Sequence, residues 1–304
     1  MAKAIREYLI KALANGSFVS GQELGDKLDI SRTAISKHIK SLTEMGLDIY
    51  SVTGKGYKLA QPLVLLKKET IVKQLPQSEQ SLEVEVHSLI DSTNSYLMRR
   101  LPNQVTKGQV CLAEYQSAGR GRRGRQWISP FGSQIYLSMY WYLEQGLSAA
   151  MGLSLVSALA VSDAIYSVAN VQVQLKWPND VYLGGVKLAG ILIDLEGQAL
   201  EPSHSVIGIG LNLAMPQQAA QQIDQKWTDL QTHCDNKIDR NTLSAQLIHY
   251  LLKRLEQHKS NGLAVMIDEW HARDLYLNRR VKLLTGESVT KGICRGVNNQ
   301  GALM

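Results

Sequence analysis

Between Gln116 and Trp127 the chain sets three glycines and four arginines in one run, Gly119-Arg120-Gly121-Arg122-Arg123-Gly124-Arg125. Glycine tolerates positive φ and lets successive backbone N–H groups converge, while each guanidinium offers a fork matched to phosphate or carboxylate. Such a stretch suits a polyanion. Its like charges repel and its glycines are conformationally free, so it is expected to be mobile when vacant and to order around a neutralising ligand. A solvated basic loop would have the same composition. The Gly-x-x-x-x-Gly-Lys-[Ser/Thr] phosphate loop is absent from the sequence. Gly119 to Gly124 does satisfy Gly-x-Gly-x-x-Gly, but that fingerprint must open a helix, and Trp127 to Pro130 with the strand-like run beyond argue against one.

Four further clusters flank this loop: Ile90-Asp91-Ser92-Thr93-Asn94, Lys176-Trp177-Pro178-Asn179-Asp180, Lys187-Leu188-Ala189-Gly190, and Gly208-Ile209-Gly210-Leu211-Asn212. Each has a plainer reading. Asp91, Ser92 or Thr93 would cap a helix from Ser95 to Leu101. Trp177-Pro178 would end a strand, Trp127 would fill a core, and Lys187 among apolar neighbours would snorkel at the surface.

The elements that must position these residues are strand-like runs around a few helices: Val84 to Ile90, Gln109 to Tyr115, Gln134 to Leu143, Val173 to Lys176, Val186 to Glu196 and Val206 to Leu213. Leu183-Gly184-Gly185-Val186 is a two-residue hairpin signal. A mixed or antiparallel sheet follows, giving an α+β domain over about residues 66–270 instead of a doubly wound one. The apolar run from Ala149 to Val161 is too short for the roughly 20 residues of a membrane span and reads as a buried helix.

Residues 1–62 follow a different pattern. Ile5, Leu9, Ile10 and Leu13 recur at helical spacing until Asn15-Gly16. Ser20-Gly21-Gln22-Glu23 has the form of a capping box before Leu24 and Leu28. Ser31 can cap a third helix that buries Ile35, Ile39 and Leu42. Its other face carries Arg32, Thr33, Ser36, Lys37 and Lys40, types that reach base edges and phosphates from a major groove. Asp48 to Leu59 alternates apolar and polar residues around Gly54-Lys55-Gly56, a wing with a basic tip at Lys55. Together these resemble a DNA-binding winged helix-turn-helix.

The whole chain has 304 residues, beyond the size at which one core usually stops growing, so two or three domains are expected. Its net charge of +6 is compatible with a polyanionic partner. Cys111, Cys234 and Cys294 are widely spaced and odd in number, which argues against a disulfide framework or a zinc site and fits a reducing cytoplasm. The first residues lack the apolar stretch of a secretory signal. A cytoplasmic protein with no membrane association is the expectation.

The five motifs in this order resemble the biotin protein ligases, and the preceding winged helix makes the chain similar to the bifunctional bacterial type that is also the biotin operon repressor. The resemblance implies a class II synthetase-like catalytic domain that joins biotin to ATP and transfers the biotinyl group to a lysine of a biotin carboxyl carrier protein. It further implies operator DNA as a partner and a homodimer when the adenylate is bound. By resemblance, Ser92, Thr93, Asn94, Gln116, Arg120, Gly121, Arg122 and Lys187 bind biotin, and Lys187, Arg122 and Lys176 carry the chemistry. Arg122, Trp127, Lys176, Asn179, Lys187, Asn212 and Trp227 belong to nucleotide binding, and Asn179 and Asp180 to Mg2+. From residue 271 to 304 the chain begins the family's small SH3-like barrel and is expected to leave it incomplete, which favours a ligand-sensing repressor with weak ligase activity as an alternative. A lipoate or octanoate ligase of related fold is another.

Overall fold

A computed structural model describes residues 2–304. The first domain holds α1 (Ala2–Leu13), α2 (Gly21–Leu28), α3 (Arg32–Glu44) and a hairpin of β1 (Ile49–Val52) and β2 (Gly56–Leu59). Ser31 caps α3 as expected, accepting from the Ala34 N–H at 3.2 Å. The capping box of α2 is only half formed. Ser20 accepts from the Gln22 N–H at 3.2 Å, but Glu23 reaches forward to Lys27 at 2.7 Å instead of back to the cap, because the opposite charge one turn on is the better partner. Leu9, Ile10, Leu13, Leu24, Ile35, Ile39 and Leu42 make the core, and Arg32, Thr33, Ser36, Lys37, Lys40 and Lys55 are all exposed.

The second domain is built on seven strands: β3 (Val84–His87), β4 (Val110–Ala113), β5 (Gln134–Leu143), β6 (Gln174–Lys176), β7 (Asp180–Leu183), β8 (Val186–Glu196) and β9 (Ser203–Asn212). They lie in the order β3-β4-β5-β9-β8-β7-β6, and only the β3–β4 pair is parallel. This is the mixed sheet that the short loops imply. Gly184 and Gly185, with φ of 61° and 77°, close the β7–β8 hairpin, in which Leu183 pairs with Val186. The expected strands from Val84 and Gln109 end early, since their last residues bend away to carry the site motifs. Ile90 rejoins the pattern only as a single bridge to Gln116.

The long strand β5 reads as a continuous apolar run because both of its faces are covered. Ile135, Leu137, Met139, Trp141 and Leu143 enter the main core, while Tyr136, Ser138 and Tyr140 are buried on the opposite face. The main-core face is covered by α6 (Leu153–Ala169) and α8 (Arg240–Asn261). The span Leu147–Ala169 is long and apolar enough to cross a membrane, but it is largely buried in this core. Shorter helices are α4 (Lys68–Lys73), α5 (Thr93–Met98), α7 (Gln217–Ala220) and α9 (Ile267–Arg273).

Two arrangements join the domains. Leu89, Tyr115 and Phe131 pack into the winged-helix core, and the Phe131 N–H donates to the Met45 carbonyl at 2.9 Å. The connecting segment is gripped by a buried ion pair, in which Arg240 meets Glu114 at 2.7 Å and also donates to the Val64 carbonyl at 3.2 Å. Glu114 accepts from the Leu66 N–H, and Asn241 accepts from the Lys67 N–H at 2.8 Å. C-terminal to α9, β10 (Arg280–Thr285) and β11 (Ser288–Ile293) form an exposed two-stranded hairpin in place of a closed barrel. The segment beyond it returns to the catalytic domain, where Val297 is buried and the Gly301 carbonyl accepts from Trp177 Nε1 at 2.9 Å.

Candidate active site

The motifs converge on one cavity of about 730 Å³ at the ends of β4, β8 and β9. Its lining includes Ser92, Thr93, Asn94, Gln116, Arg120, Gly121, Arg122, Trp127, Lys176, Asn179, Asp180, Lys187, Asn212 and Trp227. Every ligand-binding position proposed from the sequence therefore faces the same space. The positions proposed for DNA lie on the separate surface of α3 and the wing.

One wall starts at α5. Ser92 caps this helix, accepting from the Ser95 N–H at 3.4 Å, so the helix begins two residues earlier than its sequence pattern suggests. The cap turns Thr93 toward Gln116, whose Oε1 accepts from the Thr93 N–H at 2.9 Å. Gln116 Nε2 donates to Ser129 Oγ at 3.1 Å. Beneath them Ser138 Oγ lies 2.7 Å from Thr93 Oγ1 and 2.5 Å from Asn94 Oδ1. Ser138 is fully buried and was not legible as a site residue, because a serine inside an apolar strand carries no spacing signal.

Glycine is required at two places on the floor. A Cβ on Gly208 would stand 2.1 Å from Asn94 Oδ1, and one on Gly210 would stand 2.5 Å from the Trp127 ring. Real Cβ atoms never come so close, so the glycines of β9 let Asn94 and the indole lie flat against the sheet. Trp127 Nε1 is buried with no hydrogen-bond partner among the described residues.

The opposite wall is cationic. Lys187 on β8 is half-buried, lies 2.8 Å from Asp180 Oδ1 and sits 5.7 Å from the Trp127 ring centroid. Its backbone pairs with the segment carrying Trp227, the Thr228 N–H donating to the Lys187 carbonyl at 2.9 Å. Asn212 Nδ2 fastens that segment from β9 through the Thr228 carbonyl at 3.1 Å. Lys176 Nζ donates to Tyr182 Oη at 2.9 Å. Burial works against the Lys176 charge, but the Tyr182 hydroxyl and the nearby Asp180 outweigh it and raise its pKa above the usual lysine value. Lys176 is therefore a cation throughout the neutral range.

The arginine loop is folded across the mouth. Its limbs pair through Arg120 and Gln126, a single 3-10 turn spans Arg122–Gly124, and Arg123 takes φ of 56°. Arg120 is ion-paired with Asp194 on β8, and Arg122 donates to Asn179 Oδ1 at 2.8 Å. The Asn179 amide also donates to the Ile191 carbonyl at 2.7 Å, which fixes the acceptor that holds Arg122. Chemically, the cavity offers a polar floor for a small neutral ring, an indole for stacking, and lysine and arginine cations for a carboxylate and phosphates.

A mixed sheet, this cavity and a flap of arginines suit a ligand that carries both an acyl group and phosphates. The profile of the Biotin/lipoate A/B protein ligase family matches residues 86–212, and that of an HTH domain matches residues 5–58. The Bifunctional ligase/repressor BirA of Escherichia coli (strain K12) is 46% identical over 296 residues, 97% of this chain and 90% of that protein. The protein of the same name from Bacillus subtilis (strain 168) is 29% identical over the full chain and 94% of its own length. A solved biotin protein ligase from Aquifex aeolicus, in complex with biotin and ATP, has a TM-score of 0.61 at 27% identity, covering 73% of this chain and 90% of that chain. The chain belongs to the biotin protein ligases of the bifunctional ligase/repressor type.

Proposed function

We propose that this protein joins biotin to ATP, giving biotinyl-5′-adenylate and pyrophosphate, and then passes the biotinyl group to one lysine of a biotin carboxyl carrier protein. With the adenylate bound it forms a homodimer in the cytoplasm and represses the biotin operon through two winged helices placed on paired half-sites. Residues 1–62 are assigned to DNA, 66–270 to catalysis, and 271–304 to an incomplete SH3-like extension. The observation that carries the enzymatic reading is the convergence of all the ligand-binding motifs on one cavity under one arginine flap.

In the first step the biotin carboxylate attacks the α-phosphorus, the bond to pyrophosphate breaks, and negative charge grows on the phosphate oxygens. Lys187, Arg122 and Lys176 supply fixed cations where that charge develops. Ser92, Thr93 and Gln116 hold the ring of biotin, and Gly121 and Arg120 lie over it. Trp127 and Trp227, with Asn212 behind, enclose the nucleotide. In the second step the substrate amine attacks an already activated anhydride and AMP leaves, so orientation and exclusion of water supply most of the acceleration.

Magnesium fits this cavity as a companion of ATP. The Asp180 carboxylate, ion-paired with Lys187 at 2.8 Å, and the Asn179 amide oxygen both face this cavity, and Mg2+ characteristically takes one or two carboxylates plus substrate phosphates. Asp180 would hold the ion beside Asn179, and it would neutralise phosphate charge.

Biotin-dependent exchange of pyrophosphate into ATP tests the reading. Exchange with biotin and not with lipoate is expected, followed by labelling of a carrier domain. Exchange with lipoate alone would select the lipoate ligase, and tight adenylate binding without carrier labelling would select the sensing repressor.

A further inference from the structure

Asn94 lies on the cavity floor, yet its side chain is spent within the protein. Its Oδ1 meets Ser138 Oγ at 2.5 Å, and its Nδ2 donates to the Leu192 carbonyl at 3.2 Å and to Asp194 Oδ2 at 2.9 Å. The same Asp194 oxygen receives the guanidinium of Arg120. Asp194, on β8, thus has the floor on one side and the flap on the other. The two flap arginines are held by different chemistry. Arg120 faces a carboxylate, whereas Arg122 faces the neutral amide oxygen of Asn179. An incoming phosphate or carboxylate competes for Arg122 against a dipole, but for Arg120 against a full charge. Both bonds have an ionised donor, but only Asp194 adds the attraction of a full opposite charge. Arg122 is therefore the less firmly held of the two.

We propose that Asp194 is a positioning residue that anchors the flap to the floor through Arg120 and Asn94, so that the flap pivots there while Arg122 moves from Asn179 to the anionic ligand. The inference rests on the cavity being the seat of an acyl-adenylate, but the anchor itself exists in the unliganded protein and can be tested there. Asp194→Asn keeps an acceptor for Asn94 and removes the charge that holds Arg120. Asp194→Ala removes both.

Two readouts decide the matter: trypsin cleavage after Arg123 and Arg125 without ligand, and the rate at which biotinyl-adenylate leaves. D194N is expected to raise both by roughly fivefold, the scale of a partly exposed ion pair, while biotin affinity without ATP stays within about twofold. D194A is expected to weaken biotin binding as well. Arg120→Ala combined with D194N should release the adenylate no faster than either single change, since the two share one interaction. Unchanged cleavage in D194N overturns the anchor whatever the adenylate does. Equal losses of biotin affinity in D194N and D194A would also overturn it, by showing that the residue only holds the floor together. If the wild-type chain makes no adenylate, the site reading fails, and the cleavage comparison still decides the anchor.

Discussion

At the scale of single residues, charge in the site is held by neighbours that periodicity does not reveal. Lys176 could be singled out from its motif, but Tyr182, which sits diagonally across the β6–β7 ladder, could not. Burial alone would push the lysine down, and the tyrosine hydroxyl is the leading cause of its upward shift. Tyr182→Phe leaves desolvation less opposed, so the Lys176 pKa falls and its ammonium is lost at lower pH. The alkaline decline of pyrophosphate exchange should therefore move toward neutral pH, as read from the pH profile of the exchange rate. An alkaline limb that does not move would mean that Lys176 is not one of the working cations. Lys187 shows the same limit of sequence reading. Its apolar neighbours suggested a snorkelling surface lysine, whereas the hairpin folds Asp180 back against it at 2.8 Å.

At the scale of elements, the sheet was largely legible because apolar alternation, turn glycines and strand length agree. Gln134–Leu143 and Val186–Glu196 were readable in full. The short strand β7 was recoverable only through the Gly184-Gly185 turn, since its four residues are mostly half-exposed. What the glycines of β9 do was not readable, because close approach across a sheet leaves no local pattern. Gly210→Ala would drive a methyl group into the Trp127 ring, which a Cβ would meet at 2.5 Å. The ring must tilt off the strand, with a destabilisation of about 1–3 kcal/mol, typical of overpacking. Urea unfolding followed by tryptophan fluorescence should show that loss, and adenylate dissociation should accelerate with it. Wild-type retention in a destabilised G210A would remove Trp127 from the ligand's surroundings.

At the scale of the whole molecule, the two domains are bolted together at a point that also starts the flap. Glu114 ends the β4 region two residues before Gln116, and its carboxylate binds both Arg240 and the linker backbone at Leu66. Phe131, just past the flap, is buried in the winged-helix core. The winged helix itself was legible because caps, buried faces and exposed basic residues coincide within about 60 residues, whereas a clamp between positions 114 and 240 is a long-range contact without local signature. Arg240→Ala leaves the Glu114 carboxylate buried and unpaired, for which about 3–5 kcal/mol of destabilisation is expected. Replacing both partners by apolar residues of similar volume should recover only part of it, because the Leu66 N–H and the Val64 and Gln134 carbonyls still lose their partners, as denaturant unfolding of the three variants would reveal. Losses that simply add would show that the pair is not coupled.

The central claim is that residues 116–127 close on an acyl-adenylate held by Lys187 and Arg122. A crystal structure of the full chain with a non-hydrolysable biotinyl-adenylate analogue tests it most directly. The expected result has Arg122 moved from Asn179 onto the phosphate, Arg120 still on Asp194, and the nucleotide enclosed beside Trp127. A flap turned away from the bound analogue, with Lys187 still paired only to Asp180, would contradict the account.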